Sequence, residues 1–200
     1  MTPIRKRDLE RVVGQKHLTS SHKERLQKAL TNERLASSSN VARYDVFLSH
    51  SYLDKETVLR LNYLMEEELG LEVYVDWIED SGMDRSNVTP ETAVHVRGGM
   101  RRCSSLVYAV SRNSASSKWM PWELGYSDAF HGRVAVLVID DGNATLQAYH
   151  NQEFVGIYPF VDLLPILDST REVLWVFDPQ KPKTYARLED WAGGGRLITR

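Results

Sequence analysis

The chain has a single cysteine, Cys103, among 200 residues. No internal disulfide can form, and a lone thiol suits a reducing compartment. Cys103 itself reads as a small buried residue ahead of a strand. No apolar run approaches the ~20 residues of a membrane span. The basic start lacks the apolar segment of a signal peptide. These absences predict a cytoplasmic protein with no membrane partner. No glycine-rich phosphate loop follows the first strand pattern, which argues against a Rossmann dehydrogenase. Gly193-Gly194-Gly195 lies close to the C-terminus with no helix pattern after it. The histidines and acids show no metal-ligand spacing, so neither a metal nor a resident cofactor is expected.

Charge is nearly balanced overall, with 25 Lys and Arg against 27 Asp and Glu, but it is unevenly spread. Up to Arg43 there are ten basic residues against four acidic; beyond it there are 15 against 23. A basic tail and an acidic body can attract each other, or the opposite parts of neighbouring copies. The tail lacks interleaved aromatics, so nucleic acid is not expected as a partner.

Hydrophobic content of 42% is enough for one sizeable core. Residues 1–43 read as a separate basic helical extension and linker. Ser20 or Ser21 would cap a helix over His22–Leu35, and Ser37-Ser38-Ser39-Asn40 reads as a linker. Residues 44–200 read as the main domain. Tyr44–Ser49 is a short apolar strand. Asp54–Leu69 is a helix with Val58, Leu61, Met65 and Leu69 on one face, stopped by Gly70. Glu72–Asp76 is a second strand. Thr89-Pro90 opens another helix as N-cap and first-turn proline. Ser105–Val110, Val134–Ile139 and Val173–Phe177 complete five strands. Phe154–Pro159 is a short strand or a loop, and Tyr185–Ala192 a last helix. Apolar strands alternating with helices predict an α/β fold whose five-stranded parallel sheet carries helices on both faces.

Ligands of such sheets lie beyond the carboxyl ends of the strands. Ser49, His50, Asp76, Trp77 and Ser111 fall there, and Ser51 could bond phosphate or ribose or simply close the turn. Tyr74 points either into the core or toward a ligand, and parity alone does not decide. The run Ser116–Tyr126 places Trp119 and Glu123 four positions apart, hence on one helix face. An indole and one carboxylate on one wall suit a flat heterocycle with an anion near a glycosidic carbon. The candidate site gathers Ser49, His50, Ser51, Tyr74, Asp76, Trp77 and Trp119 as substrate-binding residues around the Glu123 carboxylate.

Three segments carry a family resemblance. They are Tyr44-Asp45-Val46-Phe47-Leu48-Ser49-His50-Ser51, Val73-Tyr74-Val75-Asp76, and Lys118-Trp119-Met120-Pro121-Trp122-Glu123. In this order and spacing they resemble the TIR (Toll/interleukin-1 receptor) domain family, in its bacterial form, over roughly Tyr44 to Phe177. The resemblance implies a flavodoxin-like fold and cleavage of the nicotinamide–ribose bond of NAD+, releasing ADP-ribose or a cyclic isomer. By resemblance Glu123 is the catalytic glutamate. The resemblance also implies head-to-tail self-association through the 77–89 loop, activity that depends on assembly, a role in bacterial anti-phage immune signalling, and a downstream effector protein. The Ser51 and Tyr52 positions are arginine-rich in animal NAD-cleaving relatives, and here they are not. Two other readings stay open: a non-catalytic TIR–TIR scaffold, and an N-glycosidic enzyme like the nucleoside deoxyribosyltransferases.

Overall fold

The computed structural model describes residues 3–14, 43–79, 89–140, 153–181 and 183–199. The strands are β1 (Ile4–Arg5), β2 (Tyr44–Ser49), β3 (Val73–Tyr74), β4 (Cys103–Val110), β5 (Val134–Asp140), β6 (Phe160–Pro165), β7 (Glu172–Phe177), β8 (Thr184–Arg187) and β9 (Ile198–Thr199). The helices are α1 (Lys6–Val13), α2 (Lys55–Tyr63, continued by a π-helical turn, Leu64–Glu68), α3 (Asp76–Glu79), α4 (Pro90–Arg101), α5 (Trp119–His131) and α6 (Leu188–Ala192).

The sheet runs β3-β2-β4-β5-β6-β7-β8-β9, with β1 on the carboxyl half of β5. Its first five members are all parallel, as the apolar strand patterns predicted. Side chains alternate strictly between two cores. Val107, Ala109, Ala135, Leu137 and Ile139 face α1 and α2, while Leu106, Tyr108, Val134, Val136 and Val138 face α4 and α5. Such two-sided burial is what continuous apolar strands require. Helix punctuation also follows the expectation. Thr89 Oγ1 accepts from the Thr92 amide, Pro90 sits in the first turn, and Gly70 adopts φ 69° to end the π-helical turn.

Four expectations are corrected. The fifth parallel strand is Phe160–Pro165 rather than Val173–Phe177. The latter pairs antiparallel with it, in register Phe160↔Phe177. Only the short turn Ile166–Arg171 joins them, and a parallel crossover needs a dozen residues or more. Asp168, at φ 60°, helps close that turn. Tyr185–Ala192 is divided: β8 extends the antiparallel wing, and only Leu188–Ala192 is helical. The second strand is shorter than Glu72–Asp76, because Asp76 already begins α3. Finally, residues 3–14 are no appendage. Ile4 pairs with Ile139, and Ile4, Leu9 and Val13 lie in the α1–α2 core. The helix expected over His22–Leu35 and the linker after it lie outside the described residues. Among the described residues, no helix is long and apolar enough to cross a membrane.

Close contact between α4 and the sheet depends on Gly99. A Cβ there would lie 2.6 Å from Tyr74 Cζ and 2.7 Å from its hydroxyl. Gly99→Ala is expected to destabilise the chain by up to about 2 kcal/mol: overpacking costs about 1–3, and helix propensity returns about 1. A urea unfolding midpoint that stays put or rises would contradict this contact.

At the end of α5, His131 gives stability a pH dependence. Its Nδ1 accepts from the Arg133 amide at 3.0 Å, and its Nε2 is buried without a hydrogen-bond partner. Burial, and then the Arg133 charge, hold its pKa below the ordinary 6.5, while Asp128 opposes them. The unfolded chain therefore takes up this proton more readily than the folded one. The contribution is complete above about pH 6.5 and is lost as pH falls through the folded value. Urea midpoints taken at about pH 7.5 and about pH 5 should differ less for His131→Gln than for the parent chain.

Candidate active site

The strand order puts the topological switch between β2 and β4, whose carboxyl ends open a crevice. Ser49 is the last residue of β2 and pairs in register with Tyr108 of β4. Helix α5 follows β4 and turns Glu123 inward beneath this edge. Glu123 has 0% exposure and Ser49 1%. Ser49 Oγ donates to Glu123 Oε2 at 2.6 Å, a short charge-assisted bond across 74 residues of sequence. The Tyr108 hydroxyl is pushed well above its ordinary pKa, first by burial and then by the negative charge of Glu123. It therefore stays protonated beside that carboxylate. Sequence reasoning missed Tyr108, because a tyrosine in an apolar strand reads as core.

A second group forms beside this pair. Trp77 Nε1 donates to His50 Nε2 at 2.7 Å, and His50 Nδ1 lies 2.8 Å from the Leu48 carbonyl. An indole N–H can only donate and a carbonyl can only accept, so the His50 proton belongs on Nδ1 and the ring is neutral. The buried Asp76 carboxylate lies 3.7 Å from the same Nε2. Lys55 Nζ sits 3.7 Å from the Tyr52 ring centroid and 5.4 Å from that of Trp77. His50 thus holds Trp77, with a cation nearby.

Ser51 is buried, and its hydroxyl caps the turn Tyr52–Asp54 by accepting from the Leu53 amide at 3.4 Å. Asp54, also missed, joins the two loops of the crevice. It accepts from Ser111 Oγ, and from Asn113 Nδ2 at 2.7 Å. It lacks the helix-capping bond that its place before α2 suggests.

Trp119 begins a row of rings along α5. It meets Trp122 edge-on at 5.4 Å; Trp122 stacks on Tyr126 at 5.9 Å, and Tyr126 on Phe130 at 5.9 Å. Trp119 is half-buried at the end of this row, one turn before Glu123. Tyr74 is a correction. It has 0% exposure, stacks on Phe47 at 5.3 Å, and lies against Gly99. Those contacts place it in the α4–α5 core. The structure thus joins Ser49 to Glu123 and gathers His50, Asp76 and Trp77. Residues 80–88 of the expected docking loop lie outside the described residues.

Comparison with known proteins adds an independent line. No protein-family model matches the chain. It is 47% identical over 149 residues to a Bacillus cereus protein named "Probable 3' cyclic ADP-D-ribose synthase ThsB'", covering 74% of this chain and 75% of that protein. It is 30% identical over 117 residues to a Cytobacillus dafuensis protein named "Putative cyclic ADP-D-ribose synthase TIR2". That second match spans 52% of this chain and 31% of the other.

Proposed function

The chain belongs to the bacterial TIR family, and on that premise we propose that it cleaves the nicotinamide–ribose bond of NAD+ and releases a cyclic ADP-ribose. The observation that carries the reading is the buried Glu123–Ser49 pair at the carboxyl edge of the sheet. The product class follows the names of the two relatives.

Nicotinamide leaves as a neutral molecule from a positively charged ring, so a general acid is not required. Positive, oxocarbenium-like charge grows on the ribose instead. The Glu123 carboxylate opposes that charge and orients the ribose hydroxyls, while Ser49 holds the carboxylate in place. Trp119 and Trp77 offer faces for the rings, with His50 and Asp76 supporting Trp77. Water, an adenine nitrogen or a hydroxyl of the adenosine ribose of the same molecule then bonds to the ribose carbon, an attacking O–H giving up its proton to solvent, and either of the intramolecular groups closes a ring.

Glu123 is shielded from solvent in this conformation. A ribose reaches it only when a neighbouring group moves, and a substrate-linked opening is a common device in enzymes. Self-association through the 77–89 loop would supply such a movement and complete the site, in assemblies that serve anti-phage signalling through a downstream effector in the cytoplasm. The same shielding favours, as the rival reading, a TIR scaffold that works through contacts alone.

Incubation with NAD+ over a range of protein concentrations, with chromatography of the products, separates the two. The enzyme reading expects nicotinamide and a cyclic product, with specific activity rising with concentration. Intact NAD+ at the highest protein concentration would leave the scaffold. Purely linear ADP-ribose would retain the hydrolase and remove the cyclase.

A further inference from the structure

The opposite end of the sheet carries an unneutralised basic cavity. Arg43 precedes β2, Arg101 ends α4, and Arg102 precedes β4; the Tyr44 amide donates to the Arg102 carbonyl at 2.9 Å and holds these segments together. The three arginines, with Cys103 and Ser104, line a cavity of about 270 Å³. Among the described residues no carboxylate lines it, and none of the three arginines forms an ion pair. Asp45, two residues after Arg43, spends its Oδ2 on the Glu72 amide.

Two of the guanidinium groups are nonetheless held. Arg101 Nε donates to the Tyr126 hydroxyl at 2.7 Å, which leaves its two terminal nitrogens to donate elsewhere. Arg102 lies over the rings of Tyr44 and Tyr74, at 5.5 and 5.2 Å from their centroids. Stacked guanidinium keeps its in-plane N–H groups available to oxyanions. Gathering three like charges costs energy that a bound anion would offset. In a chain of net charge −2, a pocket whose described lining holds three cations and no acid is a local reversal of sign.

We propose that this cavity is an oxyanion site for a phosphate-bearing ligand, separate from the Glu123 site. The whole of β2 lies between the two, about 20 Å at the usual rise per residue. Two held guanidinium forks with a third, exposed cation beside them suit a pyrophosphate group better than a lone carboxylate. Arg101 also touches the aromatic row that begins at Trp119, so an occupant would lie against the same helix that carries Glu123.

Calorimetric titration of the full chain with inorganic pyrophosphate, and separately with ADP-ribose, tests the site. Arg43→Gln and Arg102→Gln should each weaken pyrophosphate binding by about tenfold, the loss of one charge-assisted contact. Arg43 is exposed, so its variant should keep the parent's melting temperature even if Arg102→Gln does not. Glu123→Gln should leave pyrophosphate affinity unchanged. Binding should also weaken as salt is raised. ADP-ribose binding that Arg43→Gln weakens would assign a nucleotide as the source of the phosphate, and pyrophosphate binding alone a free anion. The proposal is overturned if pyrophosphate does not bind, or if it binds equally well without both Arg43 and Arg102. It is also overturned if poly-glutamate binds there more tightly than pyrophosphate, which would make the cavity a dock for an acidic protein.

Discussion

Glu123→Gln slows NAD+ consumption by about 100-fold or more, the scale on which a single preorganised charge-stabilising group acts. The substitution keeps the side chain's length and leaves an oxygen to accept from Ser49, which now donates to Glu123 at 2.6 Å. What it removes is the negative charge facing the ribose. Loss of rate with an unchanged melting temperature would separate chemistry from folding. That control is needed because Glu123 is fully buried and an amide there adds two N–H groups to satisfy. Ser49→Ala tests the same pair from the other side. It should lower the rate by a smaller factor, because the charge remains and only its anchor is lost. A Glu123→Gln chain that keeps most of its activity would move the reaction to some other group.

Trp119→Ala raises the KM for NAD+ by roughly tenfold, with a smaller effect on kcat, since stacking one ring on an aromatic side chain contributes about 1–3 kcal/mol. Trp119 is half-buried and buttressed edge-on by Trp122 at 5.4 Å, so its face is held before any ligand arrives. Phe130→Ala supplies the comparison. Phe130 is 52% exposed at the far end of the same aromatic row, and its loss should leave KM alone. If both variants raise KM equally, the row acts through helix packing and Trp119 is not the stacking surface. Steady-state rates at varied NAD+ distinguish these results.

Much of the fold was readable because its signals are local. The apolar runs of β2, β4 and β5 report burial on both faces, and Gly70 and Thr89 mark helix ends by backbone chemistry that needs no distant partner. The antiparallel wing was not readable. A six-residue apolar run looks the same whether its neighbour is parallel or antiparallel, and the turn Ile166–Arg171 made the choice. Residues 3–14 failed for a related reason. Four apolar residues, Ile4, Leu9, Val12 and Val13, within a basic segment are a faint pattern. Their place is set by β5, whose Ile139 and Asp140 extend past the pairing with β6 and leave an edge for Ile4 and Arg5.

The site divides along the same line. The i,i+4 spacing of Trp119 and Glu123, and the fall of Ser49, His50, Asp76 and Trp77 at strand tips, are properties of chain geometry that one sequence carries. Folding had to settle which side chains each of them meets. Tyr74 turned inward because α4 offers it a glycine, Ser49 found Glu123, and His50 met the Trp77 indole. These are contacts between residues far apart in the chain, chosen by burial and by the need of every buried polar atom for a partner, and no local periodicity encodes them.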